Sequence, residues 1–321
     1  MTRIAVLDDY QHVALKLADW DRLGPDAEIT VFDRNLRPDE AAEALAGFDA
    51  ICLMRERMPM PRTLIERLPA LKLIVVTGAH NRTLDLEAAA ERGIVVSHTR
   101  GGESQYATPE LAWALILACA RHLAQEDRHM RQGGWQETIG MALHGKSLGI
   151  VGLGRLGSRM ASIGRAFGME LLAWSRNLTA ERAEAAGAKL VTKDELLARA
   201  DVITIHLVLG ERSRGLIGAR EFALRKPSAI LVNTSRGPIV DEAALIEALE
   251  NRRIRSAGLD VYDEEPLPPE HPLRRLDNVV LAPHLGYVTE GTYRMFYEDT
   301  VEAIAAWQAG APVRVLAPAK A

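Results

Sequence analysis

The chain has 321 residues, 48% of them hydrophobic and 26% charged, with a formal net charge of −4. That length suits two domains with buried cores. The mild acidity offers no basic footprint for nucleic acid or an anionic membrane surface.

The N-terminus, Met1-Thr2-Arg3-Ile4-Ala5-Val6-Leu7-Asp8, reads as a strand and not as a signal peptide. Apolar β-branched runs predict strands over Arg3–Asp8, Glu28–Phe32, Ala50–Met54, Leu73–Thr77 and Ile94–Ser97, with helices over Asp39–Ala46, Pro61–Leu68 and Asp85–Arg92 between them. This alternation predicts an open parallel α/β sheet covered on both faces. A single long helix is expected over Thr108–Gln125, followed by a break at Gln132-Gly133-Gly134-Trp135. Its most apolar part, Leu111 to Ala120, is too short to span a bilayer. A second α/β series has strands at Leu148–Val151, Glu170–Trp174, Val202–His206, Ile230–Asn233, Ser256–Asp260 and Val279–Ala282, and a last helix over Thr289–Gln308 that ends at Gly310. Cys52 and Cys119 lie far apart in apolar runs and read as inert buried thiols in a reducing cytosol, so a cytoplasmic protein is expected.

Gly152-Leu153-Gly154-Arg155-Leu156-Gly157 follows one of these strands and opens the helical run Ser158–Phe167. G-x-G-x-x-G in that setting is a dinucleotide fingerprint. Gly152 permits the tight turn, Gly154 lets a pyrophosphate approach the backbone, and Gly157 lets helix and strand pack closely. The helix N-terminus then offers free N–H groups and a positive dipole end to the phosphates. About 20 residues on, an acid normally grips the ribose 2′-hydroxyl. Here Ser175-Arg176 stand in its place, so no carboxylate repels a 2′-phosphate and Arg176 can pair with one. NAD and NADP both remain open, with NADP modestly favoured.

Three later segments end predicted strands: Asn233-Thr234-Ser235-Arg236-Gly237, Leu259-Asp260-Val261-Tyr262-Asp263-Glu264-Glu265-Pro266 and Ala282-Pro283-His284-Leu285-Gly286. The carboxyl edge of an open α/β sheet is where ligands bind. Reducing a keto acid requires a cation for its carboxylate, best a forked guanidinium, and an acid to protonate its carbonyl oxygen. Histidine suits the second role, and a carboxylate beside it favours and orients the imidazolium.

On these three segments and the glycine loop, the chain resembles the D-isomer-specific 2-hydroxyacid dehydrogenases, a family that includes hydroxypyruvate and glyoxylate reductases and 3-phosphoglycerate dehydrogenases. The resemblance implies that Arg236 binds the substrate carboxylate, that His284 is the general acid/base and that Glu265 is its partner. It implies that Asp260 bonds the nicotinamide amide, although a strand-end aspartate also caps turns. His206, Thr234 and Gly286 join the cofactor-side positions. It further implies two Rossmann-like doubly wound domains with the active site in the cleft between them: a flavodoxin-like substrate domain (1–99 plus 290–321) and a nucleotide domain (100–289). On the substrate side the family's G-x-G loop reads Thr77-Gly78-Ala79-His80-Asn81-Arg82, with His80 for the second glycine and Arg82 for a common aspartate. Gly78, Ala79, His80 and the strand-end Arg55 are the candidate substrate contacts there. The usual His-x-Pro is His206-Leu207-Val208.

His12, His122, His129, His144 and His271 have no motif around them and read as structural, and no metal-ligand spacing occurs. A homodimer is expected, formed through the long helix and the apolar segment holding Trp135 and Ile139. The alternatives are a non-catalytic NADH-sensing corepressor-like protein and a formate or phosphite dehydrogenase of the same fold. The short chain and the lack of a visible disordered tail weigh toward an enzyme, and the few residues after the last helix weigh against an appended regulatory domain.

Overall fold

The computed structural model describes residues 1–318 and divides into two compact units, Met1–Glu103 continued from Thr289, and Ser104–Val288. In the first unit, β1 (Thr2–Val6), β2 (Ala27–Val31), β3 (Ala50–Leu53), β4 (Leu73–Val76) and β5 (Val95–His98) form a parallel sheet in the order β2-β1-β3-β4-β5. This is the flavodoxin-type order, whose switch point lies between β1 and β3. β3 and β4 are buried along their whole length, as the covered strands of a parallel sheet must be. The helix Glu290–Gln308 joins this unit through Phe296, Tyr297 and Ile304, all buried. The tail beyond it pairs with β5: His98 donates to the Arg314 carbonyl (2.9 Å) and Leu316 to that of Val96 (2.8 Å).

The second unit holds β6 (Ser147–Val151), β7 (Glu170–Trp174), β8 (Lys189–Leu190), β9 (Val202–Ile205), β10 (Ile230–Asn233), β11 (Ser256–Leu259) and β12 (Val279–Leu281). Their order is β12-β11-β10-β9-β6-β7-β8, all parallel, with the reversal between β6 and β9. One face is covered by the apolar helix Ser104–Arg121, with Trp113, Leu115, Ile116 and Cys119 buried, and by Arg155–Ala166. The other packs on Leu196, Leu197, Phe222, Leu245 and Leu249. Each Leu or Ile side chain buried this way contributes roughly 1.5–3 kcal/mol. The α/β expectation holds, and every strand read from the sequence is present with ends moved by two residues or fewer. The two-residue edge strand β8 was not read.

The single helix expected over Thr108–Gln125 is instead two. The first runs Ser104–Arg121, through Pro109, and the second Leu123–Arg131. The break is at His122, whose φ is +53°. Its imidazole Nε2 accepts from Arg255 Nη2 (2.8 Å), and the same guanidinium nitrogen donates to the Ile139 carbonyl (2.8 Å). This tertiary contact holds a left-handed residue within a run that is helical by propensity. Thr289 caps the last helix from outside, accepting from Thr292 N–H, and Gly310 at φ +74° ends it.

Candidate functional site

β10, β11 and β12 are in register, with Asn233 opposite Leu259 and Leu259 opposite Leu281. The segments that follow them therefore leave the sheet at one edge. The first is folded by Asn233: its side chain accepts from Ser235 N–H (3.0 Å) and donates to the Arg236 carbonyl (3.0 Å), while Ser235 Oγ donates to the Ile205 carbonyl (2.7 Å). Arg236 emerges from this turn with its Nη1 on the Ser235 carbonyl (2.7 Å). Gly237 must be glycine, because a Cβ there would lie 2.1 Å from the Tyr262 carbonyl. That backbone contact joins the Arg236 turn to the loop after β11.

In the second loop, Glu265 Oε1 accepts from Tyr262 N–H (3.0 Å) and Oε2 lies 2.5 Å from His284 Nδ1. Burial alone would raise the Glu265 carboxyl. The hydrogen bond and charge of His284, the Tyr262 N–H and the charge of Arg236 outweigh it and hold the group below the ordinary glutamate value. Glu265 therefore stays ionised beside the imidazole, and the Arg236, Glu265 and His284 of the sequence reading share one electrostatic neighbourhood. The His284 and Glu265 side chains keep 23% and 31% of their surface exposed, so the pair is open to a small reactant.

His284 itself is left-handed, at φ +55°, a strain that surrounding contacts must hold. Asp260 supplies them. Fully buried, it accepts from Leu285 N–H (2.6 Å) and Gly286 N–H (2.9 Å) with its two oxygens. Thr108 Oγ1 donates to the Gly286 carbonyl (2.7 Å), and the Tyr262 hydroxyl lies within reach of the Leu259 and Ala282 carbonyls (3.2 and 3.0 Å). Both Asp260 oxygens are thus engaged by the His284 loop, which makes it first a positioning residue. Burial pushes its carboxyl up to about 6, against the lowering effects of the two N–H groups and His284.

The glycine loop opens the helix Arg155–Ala166 at the switch point. Gly152, at φ +102°, has no room for a Cβ because the His206 carbonyl would lie 2.5 Å away, and a Cβ on Gly157 would meet the Gly152 carbonyl at 2.1 Å. At Gly154 a Cβ would meet no protein atom within 4 Å. No side chain caps the helix start, so its first N–H groups face the open side of the loop. Arg155 is exposed and Leu156 half-buried at its first turn. Thr234 Oγ1 and His206 Nδ1 are buried with no protein partner, and burial pulls His206 down to about 4, leaving it neutral. An uncapped helix, a glycine with open space before it and orphaned polar atoms at the same sheet edge fit a dinucleotide. Ser175 is half-buried at the end of β7, and Arg176 is exposed with no ion pair among the described residues.

Arg55, Gly78, Ala79 and His80 lie in the first unit, at the carboxyl ends of β3 and β4. Arg55, at φ +55°, donates from its backbone to Thr77 Oγ1 (2.7 Å) and from Nη1 to the Thr77 carbonyl (3.1 Å). Gly78, at φ +83°, leaves the space its guanidinium fills. The Gly78 N–H is already taken by Thr99 Oγ1 (2.7 Å), so among the loop's candidate donors it is Ala79 and the exposed His80 that remain. Sequence reasoning missed Asn233, Gly237, Thr108 and Tyr262. Only Asn233 carried a usable signal, since Asn two residues before Ser is an Asx-turn pattern.

A family model described as the NAD binding domain of D-isomer specific 2-hydroxyacid dehydrogenases matches residues 113–286. The chain is 41% identical over 282 residues to a glyoxylate reductase of Aeropyrum pernix, covering 85% of this chain and 81% of that one. It is 39% identical over 278 residues to a D-3-phosphoglycerate dehydrogenase of Archaeoglobus fulgidus, covering 86% of this chain but only 52% of that longer protein. Among solved structures, a phosphoglycerate oxidoreductase from Vibrio cholerae superposes with a TM-score of 0.90 at 36% identity, covering 97% of this chain and 100% of the other.

Asp260 generates a linkage prediction. Its folded value near 6 exceeds the ordinary 3.8, so the folded chain holds this proton more tightly than the unfolded chain does. Its contribution to stability is complete below about pH 4 and is lost as pH rises to about 6. The difference in unfolding free energy between wild type and Asp260→Asn is expected to change across that window, with wild type losing ground as pH rises, and to be flat above it. Chemical denaturation at a series of pH values measures this, and a difference that stays constant across the window contradicts the assignment.

Proposed function

The chain belongs to the D-isomer-specific 2-hydroxyacid dehydrogenase family, and from that premise we propose that it interconverts a small 2-keto acid and the D-2-hydroxy acid with a nicotinamide cofactor. The observation that carries the reading is the Glu265–His284 hydrogen bond at the sheet edge that also bears Arg236. When bound, NAD(P)H supplies the hydride, and the glycine loop, Thr234, His206 and the residues after β7 would hold the dinucleotide. Arg236 fixes the substrate carboxylate with its forked donors and places positive charge beside the carbonyl. His284 gives the proton to the carbonyl oxygen during reduction and takes it back during oxidation. Glu265, bonded to Nδ1, leaves Nε2 as the nitrogen facing substrate and compensates the imidazolium charge. We assign Arg55, Ala79 and His80 to the substrate side. The relatives' names favour glyoxylate as the first acid to test, beside pyruvate, hydroxypyruvate and its phosphate.

The two directions must show opposite pH limbs. Reduction, followed as kcat/KM, is expected to fall as pH rises through the ionisation of His284, and oxidation to rise through the same ionisation. Glu265→Gln keeps shape but removes the charge, so both limbs move to lower pH. His284→Ala is expected to lose roughly 10²–10⁴ in rate together with the limb. Arg236→Ala is expected to raise KM and lower kcat together. Near-normal turnover by His284→Ala with an unchanged profile would assign the proton to another group.

We further propose NADP as the preferred cofactor, on the support of the exposed, unpaired Arg176 and the absence of an acid at Ser175. A higher kcat/KM with NADPH than with NADH is expected. Arg176→Ala is expected to remove most of the difference, about 1–3 kcal/mol for a charge-assisted contact. Equal efficiency with both cofactors, unaltered by the substitution, contradicts this.

We also assign the chain to the cytoplasm and to a homodimer. Among the described residues no helix is long and apolar enough to cross a membrane, and the two buried thiols are free. Leu123, Met130, Trp135 and Ile139 are large apolar residues that stand exposed in one stretch, Trp135 by 72% and Ile139 by 89%, and a second copy would cover them. Light scattering at micromolar concentration is expected to give twice the 35.2 kDa chain mass, and Ile139→Asp to shift it toward the monomer. A monomeric wild type contradicts the assignment.

A further inference from the structure

The loop that carries Glu265 is long and proline-rich, Asp260-Val261-Tyr262-Asp263-Glu264-Glu265-Pro266-Leu267-Pro268-Pro269. Its ends are fixed by β11 and by the short 3-10 turn Pro272–Arg275. Between them few regular backbone bonds hold it. Arg274 grips the far half, donating to the Pro268 carbonyl from Nε (2.8 Å) and to the Leu267 carbonyl from Nη2 (2.7 Å). In the near half, Glu265 meets His284 and the Tyr262 hydroxyl reaches the Ala282 carbonyl, while the Asp263 backbone between them is met by the Glu242 carboxylate.

Glu242 opens the helix Glu242–Glu250, behind the cap Asp241, whose Oδ1 accepts from Ala244 N–H (3.0 Å). A helix start favours its carboxylate. Oε1 accepts from His271 Nε2 (3.0 Å), and Oε2 lies 3.4 Å from the Asp263 N–H. The other ring nitrogen of His271, Nδ1, accepts from Leu273 N–H (3.4 Å), so both nitrogens are used and the ring orientation is determined. The His271–Glu242 pair is mostly shielded, at 15% and 20% exposure. Asp263 responds to the same charge: partial burial and Glu242 push its carboxyl up against Arg214. Glu242 also follows Arg236 on the same short stretch of chain, through Gly237–Ile239. It therefore ties the turn that presents Arg236 to both sides of the loop that presents Glu265.

We propose that Glu242 is a positioning residue for the reaction, with His271 as its anchor, and that it acts by holding Glu265 against His284 Nδ1. The proposal rests on the site reading above. Without the clamp, the loop retains the Gly237–Tyr262 contact but gains freedom at Asp263 and His271, and the 2.5 Å carboxylate–imidazole contact lengthens for part of the time. The electrostatic support of the imidazolium weakens accordingly, while the dinucleotide loop, on other strands, is unaffected.

The test compares Glu242→Ala, Glu242→Gln, Glu265→Gln and the double variant Glu242→Ala/Glu265→Gln in the full chain, assayed with the acid of highest kcat/KM among glyoxylate, pyruvate, hydroxypyruvate and its phosphate. Glu242→Ala is expected to lower kcat by about 5- to 50-fold, the scale set by small misplacement of a catalytic group, with KM for the cofactor unchanged. Its pH limb is expected to move in the same direction as in Glu265→Gln. Glu242→Gln keeps one acceptor for His271 and is expected to fall between wild type and alanine. The double variant is expected to be no slower than Glu265→Gln alone, since Glu242 acts through Glu265. Losses that multiply in the double variant, with unmoved limbs in Glu242→Ala and Glu242→Gln, overturn the proposal and leave the site reading standing. Should Glu242→Ala fail to fold, Glu242→Gln carries the same two readouts. An inert Glu265→Gln overturns the site reading and this proposal with it.

Discussion

Parallel register is the constraint on which the rest of the site depends. Because β9, β10, β11 and β12 run the same way with Ile205 opposite Asn233, Asn233 opposite Leu259 and Leu259 opposite Leu281, their following loops must all turn out at one edge. Residues far apart in the chain, such as Arg236, Glu265 and His284, then need only local folding to meet. β6 belongs to the same sheet, with Val151 opposite Ile205, so the glycine loop leaves from that edge too. The sheet is a fixed frame because its strands are buried on both faces, and function is written in the turns.

Close packing of the turns converts that frame into geometry. Gly152 against the His206 carbonyl, Gly157 against the Gly152 carbonyl and Gly237 against the Tyr262 carbonyl are contacts at which a single added carbon has no space. The first and third bring two loops nearer than side chains would permit, and the second closes the glycine loop on the start of its helix. The glycines of the fingerprint are thus of two kinds: Gly152 and Gly157 are demanded by the protein's own backbone, and Gly154, with no protein atom near its missing Cβ, is left open on the side of a ligand.

The fold class and all the longer strands were legible in sequence, because buried parallel strands write themselves as apolar β-branched runs. Arg236, Glu265 and His284 could be singled out in sequence because each follows such a run, and the structure brings them into one neighbourhood. What was not legible depended on contacts distant in sequence. The helix break at His122 is set by Arg255, which propensity around His122 does not reveal. The engagement of both Asp260 oxygens by the His284 loop requires knowing that β11 and β12 are neighbours. β8 is only two residues long and exposed, so it leaves no apolar pattern. The Gly78 N–H could be counted as a donor in sequence only because Thr99, on the neighbouring strand end, was not yet beside it.

The two carboxylates nearest His284 show how one neighbourhood separates roles. Asp260 is fully buried, meets two backbone N–H groups and is pushed up to about 6. Glu265 is a third exposed, touches the imidazole directly, feels Arg236 and is held below its ordinary value. Their environments drive them apart, the pattern by which acid–base assignments are recognised. Glu265 is the carboxylate that meets the imidazole directly, while Asp260, which also feels the His284 charge, is engaged by the backbone that places the ring. Geometry and charge at this site are supplied by different acids, and the loop that carries Glu265 needs its own support for that division to hold.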